Sequence, residues 1–111
     1  MEIANIKSIA TSLGAKKVAK AAYDWCHKHE VVSHVVSDLE AVDSCIKFST
    51  DHRLLVEPAC GASLATIYNP DEFLMDKECI LIIVCGGAGV TISQIKAWKQ
   101  KLDNFSSIVP S

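Results

Sequence analysis

Apolar positions change their spacing several times along the chain, and each change predicts a different element. From Lys16 to about His29 they recur at Val18, Ala22, Trp25 and Cys26, while Lys16, Lys17, Lys20, Asp24 and Lys28 take the wetter side. That is one face of a 3.6-residue period and predicts a helix. Val31 to Val36 is short and β-branched, which predicts a strand. Ser37-Asp38-Leu39-Glu40 has the form of a capping box with acids in the first turn. It opens a helix running to Phe48 that buries Leu39, Val42, Cys45 and Ile46, and Thr50-Asp51-His52 makes a turn.

Leu54-Leu55-Val56 is a brief apolar run, read as extended, and Glu57-Pro58 follows. Proline suits the first helical position, where its missing N–H would have no partner anyway. The helix from Ala59 to Tyr68 is rich in small residues: Ala59, Gly61, Ala62, Ser63 and Ala65. A glycine inside a helix costs about 1 kcal/mol against alanine, and close packing against a neighbouring backbone would compensate. Asn69-Pro70-Asp71 ends the helix, and a polar connection reaches Glu78. Ile80 to Cys85 reads ILIIVC, with no alternation, as expected of a strand covered on both faces. Gly86 to Gly89 is a tight turn. Thr91-Ile92-Ser93-Gln94 is a second capping box, starting a helix to Leu102 lined by Ile95 and Trp98, and residues 103–111 read as a tail. The order of helices and short apolar runs predicts an α/β fold, a partial open and mostly parallel sheet with right-handed crossovers.

Composition narrows the function. The chain has 111 residues, enough for one domain spanning 1–111, and half are apolar, which argues against disorder. The formal net charge is -2 and the cations are scattered, so nothing suggests a nucleic-acid partner. Ile80 to Cys85 is far too short to span a bilayer, and the first residues lack the basic stretch and apolar run of a signal peptide. The five cysteines, Cys26, Cys45, Cys60, Cys79 and Cys85, are odd in number and form no CxxC pair. They fit reduced thiols in the cytoplasm better than a disulfide scaffold or a zinc site.

Candidate chemistry gathers after the ILIIVC run. In open parallel sheets ligands collect beyond the carboxyl ends of the strands. Cys85 closes that run, and Gly86-Gly87 would let a flat ring approach the backbone. The same thiol is equally at home as a small core residue. The glycines match neither the GxGxxG dinucleotide fingerprint nor a Walker A loop. His27, His29, His34 and His52 have no metal-ligand spacing. Glu57, before a proline at a helix start, reads as a cap for N–H groups or a cation ligand.

Four segments carry a resemblance: SIATSLGAKKV, VVSHVVSDLEAV, LLVEPACGASLATIY and ILIIVCGGAGVTISQIKAWKQKL. Together they cover roughly residues 6 to 102, and they resemble the C-terminal third of the L-serine/L-threonine dehydratase family, fold-type II enzymes dependent on pyridoxal phosphate. VEPACGA followed by VCGG, in that order, is the most specific part; the stretch between Tyr68 and Ile80 is short for the family. The resemblance implies that Cys85 faces the pyridine nitrogen, that Ser12 packs near one face of the ring, and that Gly86 borders it. It implies that the carbonyls of Leu13 and Ala15 are ligands of a monovalent cation such as potassium. Glu57 and Cys60 resemble framework residues. The family converts L-serine to pyruvate and ammonia with a lysine in an S-x-K-x-R context, a substrate-carboxylate loop and a glycine-rich phosphate loop, and none of these motifs occurs here. The resemblance therefore implies a truncated enzyme, inactive alone. The alternatives are a half-enzyme that pairs with a separate lysine-bearing chain or with itself, and a non-catalytic α/β binding module. No membrane partner is expected.

Overall fold

The computed structural model describes residues 2–106. Their regular structure is helical: a 3-10 turn at Thr11–Leu13, then α1 (Lys20–Cys26), α2 (Asp38–His52), α3 (Pro58–Tyr68), α4 (Glu72–Met75) and α5 (Ile92–Ser106). Among the described residues there is no β-strand, so the expected α/β fold with a partial, mostly parallel sheet is wrong. The reason is that a strand is a relation between two segments. β-branching and apolar runs favour a local shape, but a ladder also needs a partner backbone in register. The three runs expected to pair find none. A single bond, Glu57 N–H to the Gly86 carbonyl at 3.0 Å, links the ends of two of them. ILIIVC, expected to be the most buried segment, leaves Leu81 84% and Ile83 65% exposed, and Val35 in the 31–36 run is 89% exposed.

The helices follow their local chemistry closely. Ser37 Oγ accepts from the Glu40 N–H at 3.2 Å while a Glu40 carboxylate oxygen accepts from the Ser37 N–H at 2.7 Å, closing the capping box of α2. The Ser37 N–H, and after it the Ser37 hydroxyl donating to the same carboxylate oxygen at 2.8 Å, hold the Glu40 carboxyl below its usual range. The helix runs four residues past Phe48, taking in the expected turn at 50–52, and ends at Arg53, whose φ of 59° is left-handed. Pro58 opens α3 as expected. At α5 the Thr91 N–H donates to Gln94 Oε1 at 2.8 Å and the Gln94 N–H to Thr91 Oγ1 at 3.3 Å. Residues 103–106 of the expected tail belong to α5; the remainder, 107–111, lies outside the described residues. The first helix is shorter than its periodicity suggests, and its apolar face is uncovered: Val18 and Trp25 are 61% and 57% exposed.

The core is where α2, α3 and α5 meet: Val42, Cys45, Phe48, Val56, Cys60, Leu64 and Ile95. Tyr68 at the end of α3 donates to Asp51 of α2 at 2.8 Å, and Lys99 of α5 pairs with Asp43 of α2 at 2.9 Å. Both contacts lie at the rim, where such pairs contribute at most about 1 kcal/mol. The decisive contact is between backbones. A Cβ placed on Gly61 would run into the Ala41 carbonyl oxygen and lie 2.6 Å from Cys45 Sγ. The small residues of α3 thus let it lie directly on α2, as its sequence indicated.

This contact inverts the usual helix rule. Alanine normally gains about 1 kcal/mol over glycine in a helix, but overpacking against rigid backbone costs about 1–3 kcal/mol. Gly61→Ala is expected to lower stability by about 1–2 kcal/mol, read as a lower urea midpoint by helical circular dichroism. Gly89→Ala, whose added Cβ would meet nothing closer than 3.5 Å, serves as control and should shift it little. A stabilising Gly61→Ala would show that α2 and α3 do not approach this closely.

Candidate functional site

Two neighbouring depressions hold the sequence-selected residues. Ser12 lines the larger, a cavity of about 530 Å³, with Ser8, Glu57, Gly89, Gln94 and Trp98. Cys85 and Gly86 line the smaller, of about 250 Å³, with Glu57, Gly87, Ala88 and Gly89. Glu57 and Gly89 border both, so Ser12, Cys85 and Gly86 are brought to one side of the molecule around a shared carboxylate.

Each wall has a local cause. The Leu13 N–H donates to the Ala10 carbonyl at 3.0 Å, making the 3-10 turn that carries Ser12. The segment before it is tied to the start of α2, because Asp38 accepts from Ser8 Oγ at 2.5 Å and from the Ile9 N–H at 3.2 Å. Glu57 is the N-cap residue of α3, but its carboxylate makes no capping bond, contrary to the capping expectation, and it borders the depressions instead. The 86–89 turn passes tightly over the chain before α3. Gly86 has φ of 144°, which a side chain would strain, and a Cβ on Gly87 would collide with the Leu55 carbonyl and lie 2.7 Å from Val56 Cα.

The residue that fixes this turn is Cys60, which sequence reasoning read only as framework. Its buried Sγ accepts from the Cys85 N–H at 3.0 Å and the Gly86 N–H at 3.2 Å. The available signal was the pairing of PACG with VCGG, which a search for metal spacing passes over. Cys45, whose Sγ lies against Gly61, is fully buried. The Cys60 sulfur, through its charge and its hydrogen bond, pushes the Cys85 thiol up, with partial desolvation and Glu57 adding. Burial, then the charge of Cys60, push the Cys45 thiol up to about 11. Cys85 itself is exposed, not buried at the end of a strand.

Leu13 and Ala15 lie apart from the two depressions, on a cavity of about 420 Å³ that also borders the start of α2. The Ala15 N–H donates to the Leu13 carbonyl at 3.0 Å, so one lone pair of that oxygen is occupied. Among the described residues no group of three or more His, Cys, Asp or Glu side chains converges as a metal site.

No amine lines either depression. Every lysine except Lys99 is exposed. Lys99 is clamped by Asp43 and Asp103, both at 2.9 Å, and the hydrogen bonds it donates to Asp103 and Asp43 push its pKa up. An imine-forming lysine needs the opposite, a desolvated amine. The residues around the two depressions therefore set a thiol beside an open glycine turn but supply no amine for a covalent anchor.

The buried thiols supply a direct check. The core accepts Cys45 only as the neutral thiol. In the unfolded chain it ionises near 9.0, in the folded chain only near about 11. Its contribution to stability is thus complete below pH 9 and is lost as pH rises toward 11. In iodoacetamide labelling at pH 9, the exposed Cys26 and Cys79 should alkylate while Cys45 stays protected until urea is added. Equal labelling of Cys45 and Cys26 in the native chain would contradict this placement.

No family model matches the chain. The human protein named L-serine dehydratase/L-threonine deaminase is 36% identical over 110 residues, covering 92% of this chain and 34% of the human protein. A mouse serine dehydratase-like protein is 41% identical over 106 residues, covering 88% of this chain and 32% of its own length. The crystal structure of a fungal L-serine ammonia-lyase from Rhizomucor miehei superposes with a TM-score of 0.78 at 28% identity, over 90% of this chain and 33% of the fungal chain. The chain thus spans about a third of the length of the relatives it matches. Sequence and backbone path thus link this chain, as a partial match, to the L-serine/L-threonine dehydratase family of fold-type II pyridoxal-phosphate proteins.

Proposed function

We propose that this chain forms one wall of a pyridoxal-phosphate site of the L-serine dehydratase type and does not turn over L-serine by itself. The observation that carries the reading is the grouping of Ser12, Cys85 and Gly86 around Glu57 with no lysine beside them. In this reading Cys85 faces the ring nitrogen, Ser12 packs near a ring face, and Gly86 gives the ring room at the backbone. When bound, the cofactor supplies the electron withdrawal that lets a serine hydroxyl leave. This chain orients the ring and excludes water from one side.

A thiol suits the nitrogen position. It is a weaker electrostatic partner than a carboxylate, and with its ionisation suppressed by Cys60 it stays neutral and does not hold a proton on the ring. The Leu13 and Ala15 carbonyls are hard oxygen donors of the kind alkali and alkaline-earth ions prefer. They would contribute part of a potassium shell, the rest coming from water or another chain. A cytoplasmic setting fits the reduced thiols, and no described helix is long and apolar enough to cross a membrane.

A second reading, a half-enzyme completed by another polypeptide, is favoured by one specific observation. The apolar runs at 31–36 and 80–84 are exposed, and contiguous exposed apolar surface marks association sites. One pair of assays separates the readings. Purified chain with pyridoxal phosphate, potassium and L-serine is expected to give no enzyme-dependent pyruvate in a lactate dehydrogenase-coupled assay. Co-expression with a polypeptide carrying the remaining two-thirds of a family member gives pyruvate if the chain is a half-enzyme, and none if it is a remnant wall. Turnover by the chain alone would overturn both.

A further inference from the structure

Two buried cysteines that the cofactor reading leaves unused, Cys60 and Cys45, belong to one core cluster, and Cys60 reaches from it to the turn that carries Cys85. Cys45 is fully buried, Cys60 is 3% exposed, and Cys85 is exposed. Cys60 Sγ lies 3.0 Å from the amide nitrogen of Cys85. With an N–Cα bond of about 1.5 Å, that sulfur is within about 4.5 Å of Cys85 Cα, close enough for a disulfide to span without moving the backbone far. The 3.2 Å bond from the Gly86 N–H holds the sulfur from a second direction. This is a pre-set pair, one thiol open to solvent and one held behind it; of the other exposed cysteines, Cys26 donates instead to the Ala22 carbonyl at 3.4 Å.

We propose that Cys85 and Cys60 form a peroxide-sensitive thiol pair, in which Cys85 is oxidised first and Cys60 closes a disulfide onto it. The accessible Cys85 sulfur, having given its proton to solvent, attacks one oxygen of a hydroperoxide. The O–O bond breaks, and the departing hydroxide or alkoxide takes up a proton and leaves as water or an alcohol. Cys85 is left as a sulfenic acid. Cys60 then loses its proton and attacks Cys85 Sγ. The S–O bond breaks, hydroxide leaves as water, and the S–S bond forms. Each sulfur loses one electron, and the two oxygens of the peroxide gain them.

The bond would replace two N–H···S contacts with a covalent tie between the 85–87 turn and the first turn of α3, across a separation of 25 residues. Cys45 has no such route, because no surface reaches it. Cys60 holds back the ionisation of Cys85, which makes the first step slow at neutral pH and faster as pH rises. The inference stands on the sulfur geometry and does not depend on the cofactor reading.

The test treats the full chain with hydrogen peroxide, quenches it, and maps the peptides under non-reducing conditions. The expected product is one Cys60–Cys85 linkage per chain, a mass lower by two hydrogens, and a fall in free thiols from five to three that dithiothreitol reverses. Cys85→Ser, which keeps the Cys60 acceptor in place, should abolish the linkage. Cys60→Ala should leave Cys85 as a dimedone-trappable sulfenic acid. The same linkage frequency in urea as in buffer would overturn the proposal, as would dominant pairing of Cys26 or Cys79, or oxidation of Cys85 with Cys60 remaining a free thiol.

Discussion

The close approach of α3 to α2 at Gly61 governs the rest of the structure. Because the Ala41 carbonyl and Cys45 Sγ occupy the space a side chain would need, α3 can sit at one height and one rotation on α2. That placement decides what its first turn presents. Cys60 faces inward and back toward the 85–87 turn, where it accepts two backbone N–H groups. Glu57, just before the helix, is set where two depressions meet. The turn is then held from both sides, by Cys60 above and by the Glu57 N–H bond to the Gly86 carbonyl below. An individually modest set of contacts positions the candidate site because each depends on the same helix pair.

The sequence was legible where structure is local. The two capping boxes, the proline at the start of α3 and its small-residue stripe each specify their own geometry, and each forms as read. It was misleading where structure is a relation between distant segments. ILIIVC and the 31–36 valines have strand composition, but composition does not supply a partner, and the described residues offer none. The face of α1 fails for the same reason: its period is helical, yet Trp25, stacked on the neighbouring His29, stays 57% exposed. Among the site residues, Cys85 and Gly86 stood out by their place after the ILIIVC run, and Ser12 was named by the family resemblance. Cys60 was recognised as framework, but its hold on the turn depends on a contact that sequence spacing does not reveal.

The exposed apolar runs and the missing amine describe one situation. The relatives are about three times as long as this chain, its runs at 31–36 and 80–84 leave apolar side chains exposed, and no lysine lines the two depressions. Pairing with further polypeptide would cover the first and supply the second. The physical chemistry of the lysines makes the point independently of any comparison. All are exposed but one, and that one is held as an ammonium between two aspartates.

The most direct measurement is covalent trapping. The chain is incubated with equimolar pyridoxal phosphate, reduced with borohydride, and mapped by peptide mass spectrometry. A wall without an anchor predicts sparse pyridoxyl adducts scattered over exposed lysines such as Lys16, Lys17 and Lys20, with no site approaching full occupancy. A single lysine modified stoichiometrically would show that the chain holds its own anchor and would contradict the account.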